Sequence, residues 1–137
     1  MLRDIKDSEI FIRLADFFGG KSEVLLVFLF GSAASGKVAE DSDIDIGILF
    51  ENQPDVYEIN ELKSELNAIF KKDIDIADLN SVSPILKMQV LKNGALVLAK
   101  DKKVYNQFYV DTINQYDDLK QIRKTCEDNI LKGRIYA

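Results

Sequence analysis

Residues 25–50 read LLVFLFGSAASGKVAEDSDIDIGILF, and this stretch decides the fold. Val24 to Phe30 is apolar throughout, with β-branched and aromatic residues among it. An unbroken apolar run of that length predicts a strand buried on both faces. The run stops at Gly31-Ser32, where a chain can turn sharply. A second strand is predicted over Asp43 to Phe50, and here the pattern alternates. Ile44, Ile46, Ile48 and Phe50 fall on one side and Asp43, Asp45, Gly47 and Leu49 on the other, because successive strand side chains point to opposite faces. Asp43 and Asp45 therefore share a face.

Working outward, Ile5 to Phe18 predicts a helix with an apolar face of Ile5, Ile10, Ile12, Leu14, Phe17 and Phe18. Asp7 or Ser8 is placed to cap it and Gly19-Gly20 to end it. After the turn Gln53-Pro54-Asp55, Val56 to Phe70 predicts a helix through Ile59, Leu62, Leu66 and Ile69. Asp73 to Leu79 is a third strand, with Asp73 and Asp75 on one face and Ile74 and Ile76 on the other. Ser81 or Ser83, followed by Pro84, opens a third helix that Asn93-Gly94 closes. Ala95 to Ala99 is a short fourth strand.

From Asp101 to about Leu131 the pattern is helical without interruption. Tyr105, Tyr109, Thr112, Tyr116, Leu119, Cys126 and Ile130 recur at spacings of four and three, with Arg123 in the remaining place. The stripe of Tyr105, Tyr109 and Tyr116 is expected to be core packing, with a partner surface as the alternative since tyrosine is enriched at interfaces. The two are compatible if the first half of the helix packs on the sheet and the second half projects. Cys126 is expected to be buried, and Lys120, Arg123, Lys124, Glu127 and Asp128 to form a solvated face. The order of elements predicts an α+β fold, a small mixed sheet of about four strands with helices packed on it. Residues 1–137 are expected to make one domain.

Composition narrows the chemistry. A net charge of −5 does not suit broad binding to a nucleic-acid backbone. No apolar run approaches the ~20 residues that span a membrane, and the acidic and basic residues Asp4, Lys6, Asp7 and Glu9 leave no apolar core for a signal peptide. One cysteine allows no internal disulfide, so a reducing cytoplasm is the expected compartment. The absence of histidine excludes Ser-His-Asp and Cys-His catalysis and His-ligated zinc. Catalysis here must rest on carboxylates, hydroxyls and lysine or arginine, a set that favours a hard oxygen-seeking cation such as magnesium.

The two D-x-D strands carry the strongest functional signal. Their aspartates match in parity, so on neighbouring strands three or four carboxylates converge. At about 5 Å and an effective dielectric of ~20, each like-charge pair costs on the order of 3 kcal/mol. A bound divalent cation turns that repulsion into attraction. Asp41 shares the parity but falls in the turn. Gly31-Ser32, at the end of a buried strand, is suited to present backbone N–H groups and a hydroxyl to phosphate. Gly36 falls where the next turn needs positive φ. Lys37 is not in a Walker context.

Gly31-Ser32, ten residues, then Asp43-Ile44-Asp45 resembles the G-S-x10-D-x-D signature of the DNA polymerase β-like nucleotidyltransferases. G-S-A-A-S-G-K-V-A-E-D-S-D-I-D-I looks like their minimal branch, and D-I-D-I-A-D-L is similar to its third-aspartate strand. The resemblance covers about residues 8–99, leaving the helix of about 101–131 outside it, and selects Asp75 over Asp73 as the third carboxylate. The tail, from Tyr116-Asp117-Asp118-Leu119 to Lys132-Gly133-Arg134-Ile135-Tyr136, looks like that of minimal nucleotidyltransferase antitoxins paired with HEPN-domain toxins.

What the resemblance implies is the nucleotidyltransferase fold and a two-metal reaction. Asp43 and Asp45 would hold two Mg2+ ions on the phosphates of ATP. Asp75 would complete the nucleophile-side metal and help deprotonate the acceptor, and Gly31 and Ser32 would hold the β- and γ-phosphates. In the antitoxin branch, AMP goes to a tyrosine hydroxyl of the toxin, silencing it in the manner of a type VII system, and the two proteins can assemble into an oligomer. Many relatives carry arginine where this chain has Ser35; Lys37 is then the nearest phosphate-binding cation, without the bidentate fork. Two other readings are an antitoxin that acts by occlusion without catalysis, and a small-molecule transferase similar to the aminoglycoside nucleotidyltransferases.

Overall fold

Seven apolar residues in succession need cover on both sides, and the fold supplies it. In the computed structural model, which describes residues 9–31 and 44–133, Val24–Phe30 (β1) lies inside a four-stranded sheet. Ile44–Phe50 (β2) and Ala95–Ala99 (β4) flank it, both antiparallel, and Ile74–Asp78 (β3) pairs parallel to β2 at the outer edge. The mixed sheet runs β3-β2-β1-β4.

Two helices cover one face. Leu14 and Phe18 of Glu9–Gly19 (α1) and Leu62, Leu66 and Phe70 of Val56–Phe70 (α2) pack with Val27, Leu29, Ile44, Ile46 and Ile48. The isoleucines of β2 point here, as the alternation predicts. On the opposite face, Leu26 and Phe28 of β1 pack with Leu79, with Val90 of Pro84–Asn93 (α3) and with Phe108 of Lys102–Gly133 (α4). This second face carries Asp45.

Helix ends follow local chemistry. The Asp55 carboxylate accepts from the Glu58 N–H at 2.8 Å and caps α2. Ser83, rather than Ser81, caps α3, with Pro84 in the first turn. Asp101 caps α4 by accepting from the Val104 N–H at 2.9 Å. Gly94 closes α3, donating to the Val90 carbonyl at 2.8 Å. A Cβ on Gly94 would come to 2.5 Å from that oxygen and 3.3 Å from the Leu29 carbonyl, so the α3–β4 corner is built for glycine.

Three expectations need correction. Cys126 is exposed: it keeps the helical spacing of the buried face, but α4 has by then run beyond what it covers. Ile12 and Ile69 are also half-exposed. In α2 the buried position passes to Phe70, four residues after Leu66. The expected caps Asp7 and Ser8 lie outside the described residues, as do Ile5, Gly36 and Asp41. Among the described residues no helix is long and apolar enough to cross a membrane.

Candidate active site

The β2–β3 pairing brings the two D-x-D strands together in the register their parity requires. Ile44 faces Ile74 and Asp45 faces Asp75. On its other side Asp45 faces Phe30, the last residue of β1 before Gly31. Directly paired residues share a face and neighbouring strands lie about 4.8 Å apart, so the two aspartates stand side by side. Asp45 is half-buried, while the Asp75 side chain is 58% exposed at the edge strand.

Gly31 completes this corner. Its φ of +72° is the left-handed region that favours glycine, and a Cβ built there would fall onto Asp45 Oδ2. The missing side chain is what lets that carboxylate lie against the end of β1. An all-oxygen pair on adjacent strands suits a hard divalent cation. Among the described residues no three His, Cys, Asp or Glu side chains gather into a metal-binding group. Asp43, Ser32, Lys37 and Ser35 lie outside the described residues. Asp73 precedes β3 and is exposed; its carbonyl accepts from the Ile44 N–H at 2.9 Å.

Two residues near Asp75 and one beyond the far end of β3 escaped the sequence reading. Lys63 of α2 places Nζ 3.7 Å from Asp75 Oδ1. Four residues along the same helix, Asn67 Oδ1 accepts from the Ile74 N–H at 2.8 Å, while the Asn67 carbonyl accepts from the Lys71 N–H. Lys71 is left-handed at φ 53°, so one residue closes α2 and fixes the start of β3. At the far end of β3, Asn80 binds the Phe50 backbone in both directions, at 2.8 and 3.0 Å. The only sequence signal was an i, i+4 spacing of Lys63 and Asn67 on the helix before a D-x-D strand.

Asp78, the last aspartate of D-I-D-I-A-D-L, has a different environment. It accepts from Gln53 Nε2 at 2.6 Å, Ser81 Oγ at 2.9 Å and the Asn80 N–H at 3.0 Å. These bonds tie it into the turn that leaves the sheet. A cavity of about 630 Å³ between α4, Leu25, Leu49 and Leu79 is lined by none of Gly31, Asp45 or Asp75.

The profile of the family described as "Polymerase beta, Nucleotidyltransferase" matches residues 13–103, which contain this corner and its helices. The chain belongs to this nucleotidyltransferase family. It is 32% identical over 106 residues to the protein adenylyltransferase MntA of Shewanella oneidensis, covering 77% of this chain and 76% of that protein. A solved toxin–antitoxin structure with AMP-PNP contains a chain that superposes with a TM-score of 0.74 at 29% identity, covering 90% of this chain and 98% of that one. A second match, with a TM-score of 0.70 at 26% identity, covers 88% of this chain and 95% of the other. It comes from a complex of tri-AMPylated Shewanella oneidensis HEPN toxin with MNT antitoxin.

Proposed function

We infer that this protein is a protein adenylyltransferase that moves AMP from ATP to a tyrosine hydroxyl of a HEPN-domain toxin, acting as that toxin's antitoxin. The observation that carries the reading is the corner itself. Asp45 and Asp75 are register partners on parallel strands, with Asp45 Oδ2 seated against Gly31 where a Cβ would lie. The acceptor comes from likeness to MntA and to the antitoxin bound to AMPylated toxin, and ATP from likeness to the AMP-PNP complex. Residues 1–137 would act as one catalytic domain in the reducing cytoplasm.

Asp43, Asp45 and Asp75 would hold two Mg2+ ions, which supply Lewis-acid stabilisation of the phosphates and of the attacking and leaving oxygens. The chain's own contribution is placement. Gly31 leaves room for the Asp45 carboxylate and, with Ser32 and Lys37 after it in sequence, supplies donors to the β- and γ-phosphates. Exposed on the edge strand, Asp75 is reachable by an acceptor hydroxyl and takes up its proton. The oxygen then attacks the α-phosphorus in line, the bond to the bridging oxygen breaks, and pyrophosphate leaves.

The full chain, ATP, Mg2+ and the HEPN partner should raise the partner's intact mass by whole adenylyl units, and Asp45→Asn should abolish the gain. Neutralisation of the toxin by Asp45→Asn without any mass gain would replace this reading with occlusion.

A further inference from the structure

Helix α4 starts where the family profile stops, at residue 102 against 103. It is 32 residues long, about 48 Å at 1.5 Å per residue. Its first turns close the second face of the sheet through Val104, Tyr105 and Phe108, with Thr112 buried after them. From Lys120 to Asn129 every residue is exposed. At 100° per residue, Leu119, Ile122 and Cys126 stay in the sector that Phe108 and Thr112 use for burial. The core-facing side of the helix therefore continues for two turns with none of the described residues beneath it, and Ile122 is 60% exposed.

Charge singles out the same segment. The chain carries a net −5, yet Leu119 to Cys126 contains Lys120, Arg123 and Lys124 and no acidic residue, with Asp117 and Asp118 before it and Glu127 and Asp128 after it. A free apolar face beside arginine has the composition of an interface centre. The toxin–antitoxin chain with AMP-PNP matches 90% of this one, so at most about 14 residues fall outside the match, fewer than half of those in α4. At least about 18 of the 32 residues of a helix beyond the catalytic family profile are thus shared with a chain solved in a toxin–antitoxin complex.

We propose that the distal half of α4 is the docking surface for the HEPN-domain partner. The partner meets it with a helix whose apolar ridge packs on Leu119, Ile122 and Cys126 and whose acidic side chains face Lys120, Arg123 and Lys124. This rests on the adenylyltransferase–toxin reading for the partner's identity, and adds that recognition is separate from the reacting corner.

Ile122→Glu and Arg123→Glu, each made in the full chain, test it, since both side chains are exposed and the fold does not depend on them. Calorimetry with the HEPN partner and no ATP should show each variant binding at least about tenfold more weakly than wild type. AMP-PNP affinity and the circular dichroism melt should not change. Unchanged partner affinity in both variants overturns the proposal, as does a wild-type chain that does not bind the partner. It is also overturned if wild type self-associates and Ile122→Glu dissociates that oligomer without weakening partner binding. If the variants lose binding but wild type transfers no AMP, the docking surface stands and the catalytic reading fails.

Discussion

Gly31 and Asp45 occupy one corner of the sheet so closely that a methyl group on the first would take the place of a carboxylate oxygen of the second. The glycine ends β1 at φ +72° and the aspartate lies one pair back on β2, opposite Phe30. Two constraints on residue 31, conformation and space, therefore act in the same direction.

Gly31→Ala pays for both. Left-handed backbone costs a non-glycine residue about 1–2 kcal/mol, and the methyl forces the Asp45 carboxylate aside. AMP transfer should fall at least about a hundredfold, the scale of losing a transition-state contact, while the melting temperature drops by only a few degrees. A steady-state assay with a parallel thermal melt checks the split.

Lys63 and Asp75 form an ion pair between half-exposed side chains at 3.7 Å, worth at most about 1 kcal/mol. Lys63→Ala should leave stability nearly unchanged. Because the ammonium competes with a cation for Asp75, the variant should bind Mn2+ up to about fivefold more tightly, the equivalent of that 1 kcal/mol. Titration followed by electron paramagnetic resonance reads this without turnover; weaker Mn2+ binding would contradict it.

Asn67 couples the end of α2 to the start of β3. Asn67→Ala leaves the Ile74 N–H without its 2.8 Å acceptor and should cost about 1–3 kcal/mol in urea denaturation. Turnover should fall as well, because Asp75 follows Ile74 on the strand. Asn67→Asp keeps an acceptor oxygen and should recover most of both losses; failure to do so would detach Asn67 from the placement of Asp75.

Asp75 and Asp78 stand three residues apart in one motif and should separate cleanly. Asp78 accepts three hydrogen bonds within its turn, so Asp78→Ala should lower stability by about 1–3 kcal/mol with turnover per folded molecule retained. Asp75→Asn should abolish AMP transfer with a change in stability below about 1 kcal/mol. Chemical denaturation and initial rates on both variants decide it; the reverse pattern would move the third carboxylate to Asp78.

The sequence by itself determined the strands, the helices between them, the turn at Gln53-Pro54-Asp55, the stop at Gly94, and the parity that sets aspartates against isoleucines. These are local properties: a strand repeats every two residues and a helix every 3.6, so one short window carries the signal. Family membership was legible for the same reason, in the spacing from Gly31-Ser32 to Asp43-Ile44-Asp45. Only the tertiary structure decided that β3 runs parallel to β2 with Asp45 opposite Asp75, because strand neighbours and register come from contacts far apart in the chain. It also decided that Lys63 and Asn67 reach the edge strand from α2, and that Asp78 belongs to a turn. Cys126 marks the boundary between the two: its spacing is that of a buried residue, but burial needs something underneath, and the helix has already passed the sheet.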